Sequence, residues 1–157
     1  FKRVSKGICI KNIEILVVSL STPLLVGVYK DGVKFDEITT DEHVSEALIK
    51  ILENLSSKFN ITKIIYANTP GSFMGLKVAY VILKIFSLAK GCEFYAVSGF
   101  SLNGGEAIRA NKNLSFVLKN GEISLEKVEP VRFVLPLNLD ELKLNSDTLP
   151  NYIIQAV

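Results

Sequence analysis

The stretch TPGSFMGLK, residues 69–77, follows a β-branched run at residues 64–67 and opens a long apolar segment. This order predicts a strand, a tight turn and a helix. Pro70 fixes φ in the turn, and Gly71 permits backbone angles that other residues avoid. Ser72 stands where an N-cap is expected, because its hydroxyl can accept a hydrogen bond from an unpaired helix amide. Free amides at a helix N-terminus can hold an anion, but the spacing alone favours a plain strand-to-helix connection.

The surrounding pattern predicts two helices within a set of strands. Apolar residues recur every three or four positions in the helical segments, whereas the strand segments are short, β-branched and bounded by turn residues. The predicted strands are residues 13–19, 24–29, 33–39, 62–67 and 93–97. The predicted helices are residues 41–59, capped by Asp41, and 72–90, closed by Gly91. The resulting order, βββαβαβ, is that of the ribonuclease H-like half of actin-type (ASKHA) ATPases, an α/β fold.

The signals weaken after residue 100, which indicates a reduced second lobe. Asn120-Gly121 predicts a hairpin between strands at residues 114–118 and 122–128. Residues 131–135 are a further candidate strand, and residues 136–157 are expected to form a partly ordered tail. We therefore expect an uncertain N-terminal extension at 1–12, a ribonuclease H-like lobe at 13–100 and a reduced C-terminal lobe at 101–157.

Length and composition set further bounds on the protein. The chain has 157 residues, 48% of them hydrophobic, which fits one domain with a sizeable core. The formal net charge of +2 predicts no large nucleic-acid footprint. Cys9 and Cys92 are isolated, so we expect neither a zinc site nor a disulfide framework, in keeping with the cytoplasm. The short apolar run at residues 15–20 is interrupted by Pro23 and favours a strand over a signal peptide, and no stretch approaches a membrane span.

Four segments together carry a resemblance to the TsaB (YeaZ) family. Residues 69–77 resemble its GPGSFTGLR signature, with departures at Thr69, Met74 and Lys77. Residues 15–23, ILVVSLSTP, are similar to the family strand ILAIDTSTP. HVSE at residues 43–46 resembles the family's HSE element with one insertion, and AVSGF at residues 96–100 is similar to its VSSLEAL segment. The order and spacing match over about residues 13–100.

The resemblance implies a role in forming threonylcarbamoyladenosine on tRNAs that read ANN codons. Proteins of this family resemble the catalytic subunit TsaD in fold, but they lack its metal site and act as its dimerisation partner. The expected partners are therefore a TsaD-type subunit and then a TsaE-type ATPase. The chain is expected to form a homodimer when it is alone and to contact tRNA only indirectly. We expect no cofactor bound by this chain alone; whether a nucleotide lies at the TsaD interface stays open.

The second predicted helix is apolar around most of its circumference, which indicates a partner. A helix on the surface of a monomer needs a wide polar face, and here only two lysines and a serine are clearly polar. The alternative is a central helix buried under the second lobe. The resemblance implies that both helices pair with two helices of TsaD, or of a second copy, as a four-helix bundle. The expected interface residues are Phe73, Leu76, Lys77, Tyr80, Val81, Lys84, Leu48 and Leu52.

The sequence offers little for catalysis. His43 is the single histidine, so one chain cannot build a two-histidine metal site. Ser19 stands where actin-type ATPases place a magnesium-binding carboxylate, and a hydroxyl is a weaker ligand. The candidate phosphate-turn residues are Ser21, Thr22, Gly71 and Ser72. We predict no catalytic residue and no metal; the alternatives are a homodimeric interaction protein of unrelated role, or a small kinase or ATPase of the same fold.

Overall fold

The computed structural model describes residues 11–153 and shows a mixed α/β protein built on one five-stranded sheet. The strands are β1 (Lys11–Val18), β2 (Leu24–Lys30), β3 (Val33–Thr40), β4 (Phe59–Thr69) and β5 (Glu93–Ser98). Their spatial order is β3-β2-β1-β4-β5. The first three form an antiparallel meander, and β4 and β5 run parallel to β1. The mixed α/β class predicted from the sequence is confirmed.

Two helices connect the parallel strands, α1 (Val44–Lys58) and α2 (Phe73–Lys90). The predicted ends of α2 are confirmed. The Ser72 hydroxyl accepts a hydrogen bond from the Gly75 amide, and Gly91 closes the helix at φ 69°. The predicted cap of α1 is wrong, because His43 rather than Asp41 occupies the N-cap position and makes no capping side-chain bond.

The sheet is covered on both faces, and alternate residues of β1 divide between two cores. Ile15 and Val17 point towards α1 and α2, where they pack with Leu48 and Leu83. The residues between them face the opposite side, where the packing includes Leu135 and its neighbours from the C-terminal part of the chain. Both crossovers therefore place their helices on one side of the sheet, and the remaining chain shields the other.

The C-terminal part contains a small three-stranded sheet. Its strands are β6 (Ile108–Arg109), β7 (Ser115–Lys119) and β8 (Glu122–Glu126). The predicted hairpin turn is confirmed, since Asn120 and Gly121 both have positive φ, 52° and 80°. The predicted strand at residues 131–135 is wrong. That segment is extended, but it lies between two prolines and is held by isolated backbone bonds rather than by a ladder.

The tail is more firmly attached than the sequence predicted. Asn145 forms a β-bridge with Ala96 on the β5 edge of the sheet. Farther along, the buried Tyr66 hydroxyl donates to the Thr148 carbonyl, and the Asn151 amide donates to the Asn68 carbonyl. Residues 136–153 thus run along the sheet as an ordered strap. Residues 1–10, with Cys9 and most of the expected extension, and residues 154–157 lie outside the described part.

Candidate partner-binding surface

One apolar stripe of α2 faces outward. It comprises Met74, Val78, Val81, Ile85 and Leu88, and we call it the α2 seam. Its members are separated by four, three, four and three positions, the spacing with which one helix packs along another. Val78 is half-buried, whereas Met74, Val81, Ile85 and Leu88 are 60%, 45%, 62% and 71% exposed. So much exposed apolar surface in one row is typical of a surface that another chain covers.

A groove between α1 and α2 continues this surface. Its volume is about 600 Å³, and Ile49 and Leu52 of α1 face Val81, Ile85 and other apolar residues of α2 across it. Ile49 is 47% exposed, although Ala47 and Leu48 immediately before it are buried. The groove has polar side chains at its rim, including two serines, a glutamate and a lysine. Its shape and lining suit a helix or a large apolar side chain from a partner.

The structure divides the predicted interface residues of α2 between surface and core. Leu76 is fully buried, so its assignment to a partner interface is wrong. The Tyr80 ring turns inward and stacks on Phe94 at 6.2 Å between centroids. Val81 and Lys77 are exposed and Lys84 is half-buried, all available at the helix surface.

The other predicted contact residues differ in how exposed their side chains are. Leu48 is fully buried in the helical core, so it too cannot reach a partner. Leu52 is 3% exposed but lies at the floor of the groove. Phe73 is 54% exposed, and its ring packs against Tyr152 of the strap at 4.5 Å. Its available face is therefore shared with the C-terminal tail.

Three surface residues were missed by the sequence reasoning, namely Met74, Ile85 and Leu88. The buried stripe of α2, which includes Leu76 and Leu83, has almost the same spacing as the exposed seam. Because both stripes are apolar, periodicity alone does not say which one faces the sheet. The heptad spacing of residues 74, 78, 81, 85 and 88 was the available signal.

In the candidate phosphate turn, the hydrogen-bonding groups of Ser72 are already occupied. The Ser72 amide donates to the Leu20 carbonyl at 2.9 Å, and the Ser72 hydroxyl caps α2. Gly71 packs against the Leu20 backbone so closely that an added Cβ would lie 2.7 Å from it. Ser21, Thr22 and Ser72 line a shared cleft of about 480 Å³, whereas Gly71 does not. The close packing of Gly71 and the capping by Ser72 fit a tight connection between β4 and α2.

Two residues with catalytic potential, Ser19 and His43, line the cleft of about 480 Å³ together. The buried Ser19 hydroxyl donates to the Gly75 carbonyl at 3.2 Å. Among residues 11–153, His43 makes no side-chain hydrogen bond to a serine or an aspartate. In the same range no group of three histidine, cysteine, aspartate or glutamate side chains is placed to hold a metal. Within the described helices, none has both the length and the apolar character needed to cross a bilayer.

These features define a mixed α/β protein with a covered sheet and an uncovered apolar helix pair. The fold is that of YeaZ. The chain is similar to YeaZ from Pseudomonas aeruginosa with a TM-score of 0.56 and 18% identity, over 80% of this chain and 70% of that one. It is also similar to an uncharacterized protein with similarity to peptidase YeaZ from the same organism, with a TM-score of 0.53 and 17% identity. That match covers 73% of this chain and 63% of the other, so the chain spans less than two thirds of that neighbour. No protein-family model and no curated protein matches the sequence.

Proposed function

We propose that this chain is a TsaB-type, non-catalytic scaffold subunit of the machinery that forms threonylcarbamoyladenosine on tRNA. The fold likeness to YeaZ supports the family, as do the four sequence segments that resemble it. Within that proposal, residues 13–100 are the ribonuclease H-like, actin-type lobe and residues 101–157 a reduced second lobe. The observation that carries the functional part is the exposed α2 seam beside an apolar groove.

The α2 seam supports docking of two helices from a TsaD-type subunit. The exposed side chains of the seam form a row of knobs about two heptads long, namely Met74, Val81, Ile85 and Leu88. Ile49 of α1 adds a further exposed apolar side chain beside this row. Two helices of the partner laid against α1 and α2 complete a four-helix bundle. Such a bundle removes the exposed apolar side chains from water and gives an interface of standard size, about 1,600 Å² in total.

A scaffold role is consistent with the chemistry of the described residues. The hydroxyl of Ser19 donates to a backbone carbonyl, and a hydroxyl is a weaker magnesium ligand than the carboxylate that actin-type ATPases place at this position. The second neighbour is described by its likeness to a peptidase, and a peptidase of the serine type needs a base within hydrogen-bond reach of its nucleophile. His43 makes no such bond in residues 11–153, so we favour the non-catalytic role over a peptidase, kinase or ATPase.

The remaining parts of the assembly follow from the resemblance. A TsaE-type ATPase joins the TsaD-bound chain, the complex contacts tRNA, and the assembly acts in the cytoplasm. The resemblance leaves open whether a nucleotide binds at the subunit interface. When no TsaD-type subunit is present, a second copy of this chain covers the α2 seam. An interaction protein of unrelated role would use the same seam for self-association, and it is the competing proposal.

Reconstitution of tRNA modification tests the scaffold role. The TsaD-type and TsaE-type subunits and the other components of the reaction are supplied with tRNA, with this chain or without it. We expect threonylcarbamoyladenosine to form when the chain is present and to fall to background when it is omitted. Equal modification in both reactions would contradict the proposed function, whatever complexes the chain forms.

A further inference from the structure

A second cleft lies away from the helices, between the sheet and the C-terminal part. Its volume is about 690 Å³, within the range of small-molecule sites. One wall is formed by Ser21 and Thr22 of the β1–β2 turn and by residues of β3. The facing wall is formed by Arg109 of β6 and by residues 129–135, which include Arg132. Two separate parts of the chain therefore meet around a space of ligand size.

Both arginines are exposed and uncommitted in the described part of the chain. The ion pairs found within residues 11–153 all use lysines, so neither guanidinium lies within 4.0 Å of a carboxylate there. Arg109 donates one hydrogen bond, from Nη1 to the Asn111 carbonyl at 3.3 Å. A guanidinium has five N–H donors, so most of the donors of both side chains remain free.

Carboxylates line the same cleft, yet neither arginine forms an ion pair with them within the described residues. Glu37 is already paired with Lys34 at 2.8 Å. Asp41 and Glu129 also line the cleft, yet neither forms an ion pair within the described residues. Unpaired guanidiniums bind oxyanions well, since their forked donors match two oxygens of a carboxylate or phosphate. The unpaired carboxylates favour a ligand that also carries hydroxyl or amino groups.

We propose that this cleft binds a small molecule bearing a phosphate or carboxylate group, held by Arg109 and Arg132. The hydroxyls of Ser21 and Thr22 complete the site from the opposite wall. The ligand ties the C-terminal part to the β1–β2 turn. This site shares no residue with the groove between α1 and α2, and it departs from the expectation that the chain alone holds no ligand.

Titration calorimetry of the chain alone tests the site with two kinds of probe. Pyrophosphate and ADP represent phosphates, and glutamate and citrate represent carboxylates. We expect saturable binding of at least one kind, and the kind that binds identifies the oxyanion. Because each guanidinium contributes charge-assisted hydrogen bonds, Arg109→Gln and Arg132→Gln should each weaken that binding about tenfold or more.

Two controls separate this site from general electrostatics and from the helical interface. Lys112→Gln removes an exposed cation from the same part of the chain that does not line the cleft, and it should leave binding unchanged. A variant carrying glutamate at Ile85 and Leu88 should also bind normally. Absence of saturable binding by every probe up to about 10 mM would overturn the proposal. Binding that survives both arginine substitutions, or that Lys112→Gln weakens equally, would overturn it as well.

Discussion

Replacing Ile85 and Leu88 together by glutamate should dissociate the chain from its TsaD-type partner and leave it folded. The two side chains are 62% and 71% exposed, so these fractions remain to be buried by a partner. Full burial of an isoleucine or leucine side chain stabilises by about 1.5–3 kcal/mol. The exposed fractions then correspond to about 1–2 kcal/mol each, or about 2–4 kcal/mol together. The dissociation constant should rise by about 30-fold to nearly 1,000-fold, and more if the carboxylates stay charged in the interface.

The folded state should change little, since both positions face water in the isolated chain. Exposed substitutions usually alter the free energy of unfolding by less than about 0.5 kcal/mol each. Titration calorimetry with the TsaD-type subunit gives the dissociation constant, and urea unfolding gives the stability. Leu137→Glu is the matched control, because Leu137 is 65% exposed and lies outside both helices and the groove.

Two results would refute the interface assignment. One is a double variant that binds the partner with the affinity of the unaltered chain. The other is an equal loss of affinity in Leu137→Glu, which would show that added charge, rather than position, weakens the complex. Tyr80→Asp is unsuitable for this test, although the sequence pattern favours it. Its ring packs on Tyr66 and Phe94, so an aspartate there should destabilise the fold.

Three further predictions concern the packing around the sheet. Gly75→Ala should lower the free energy of unfolding by about 1–3 kcal/mol, because the new Cβ would lie 2.5 Å from the Ser19 carbonyl; an unchanged urea midpoint would contradict this. Tyr66→Phe should cost about 1–2 kcal/mol and speed proteolysis of the strap, since the buried hydroxyl no longer donates to the Thr148 carbonyl. Strap cleavage at the original rate would argue against that bond as an anchor. Burial raises the pKa of the Cys92 thiol, so the folded state holds its proton at pH values where the unfolded chain has begun to release it. In a variant whose other cysteine is serine, the thiol should react with a disulfide reagent at pH 8 more slowly when folded than in denaturant, and equal rates would contradict the shift.

Local backbone signals predicted the elements that define the sheet and α2. The Asn120-Gly121 turn has positive φ at both residues, as this type of two-residue hairpin loop requires. Ser72 and Gly91 mark the ends of α2, because a single capping residue specifies the start of a helix and a single left-handed glycine specifies its end. These features depend on residues close in sequence, so the sequence was sufficient.

Features that depend on distant contacts were predicted poorly. The strap is ordered by bonds between residues about 80 positions apart in the chain, such as Tyr66 to Thr148, which no local pattern reports. The start of α1 falls at His43 although Asp41 is the better capping residue. Two of the residues predicted for the interface, Leu76 of α2 and Leu48 of α1, pack in the core instead. Two apolar stripes of nearly the same spacing are distinguished by tertiary packing alone.

The cleft between the sheet and the C-terminal part illustrates the same limit. Ser21 and Thr22 were recognised from the turn after β1, but Arg109 and Arg132 lie in the segment with the weakest sequence signals. The backbone on either side of Arg132 is anchored, because the Val131 amide donates to the Ala107 carbonyl and the Val134 amide to the Leu102 carbonyl. The positions of these arginines in the sequence therefore did not predict the cleft that they line in the folded protein.

The mass of the chain mixed with the TsaD-type subunit of the same organism tests the scaffold account most directly. Light scattering on a sizing column reports whether the two proteins elute together and in what ratio. The account predicts a stable 1:1 or 2:2 assembly that is lost when Ile85 and Leu88 are replaced by glutamate. Two separate peaks, with this chain in its own self-paired dimer, would contradict it and favour a homodimeric protein of another role.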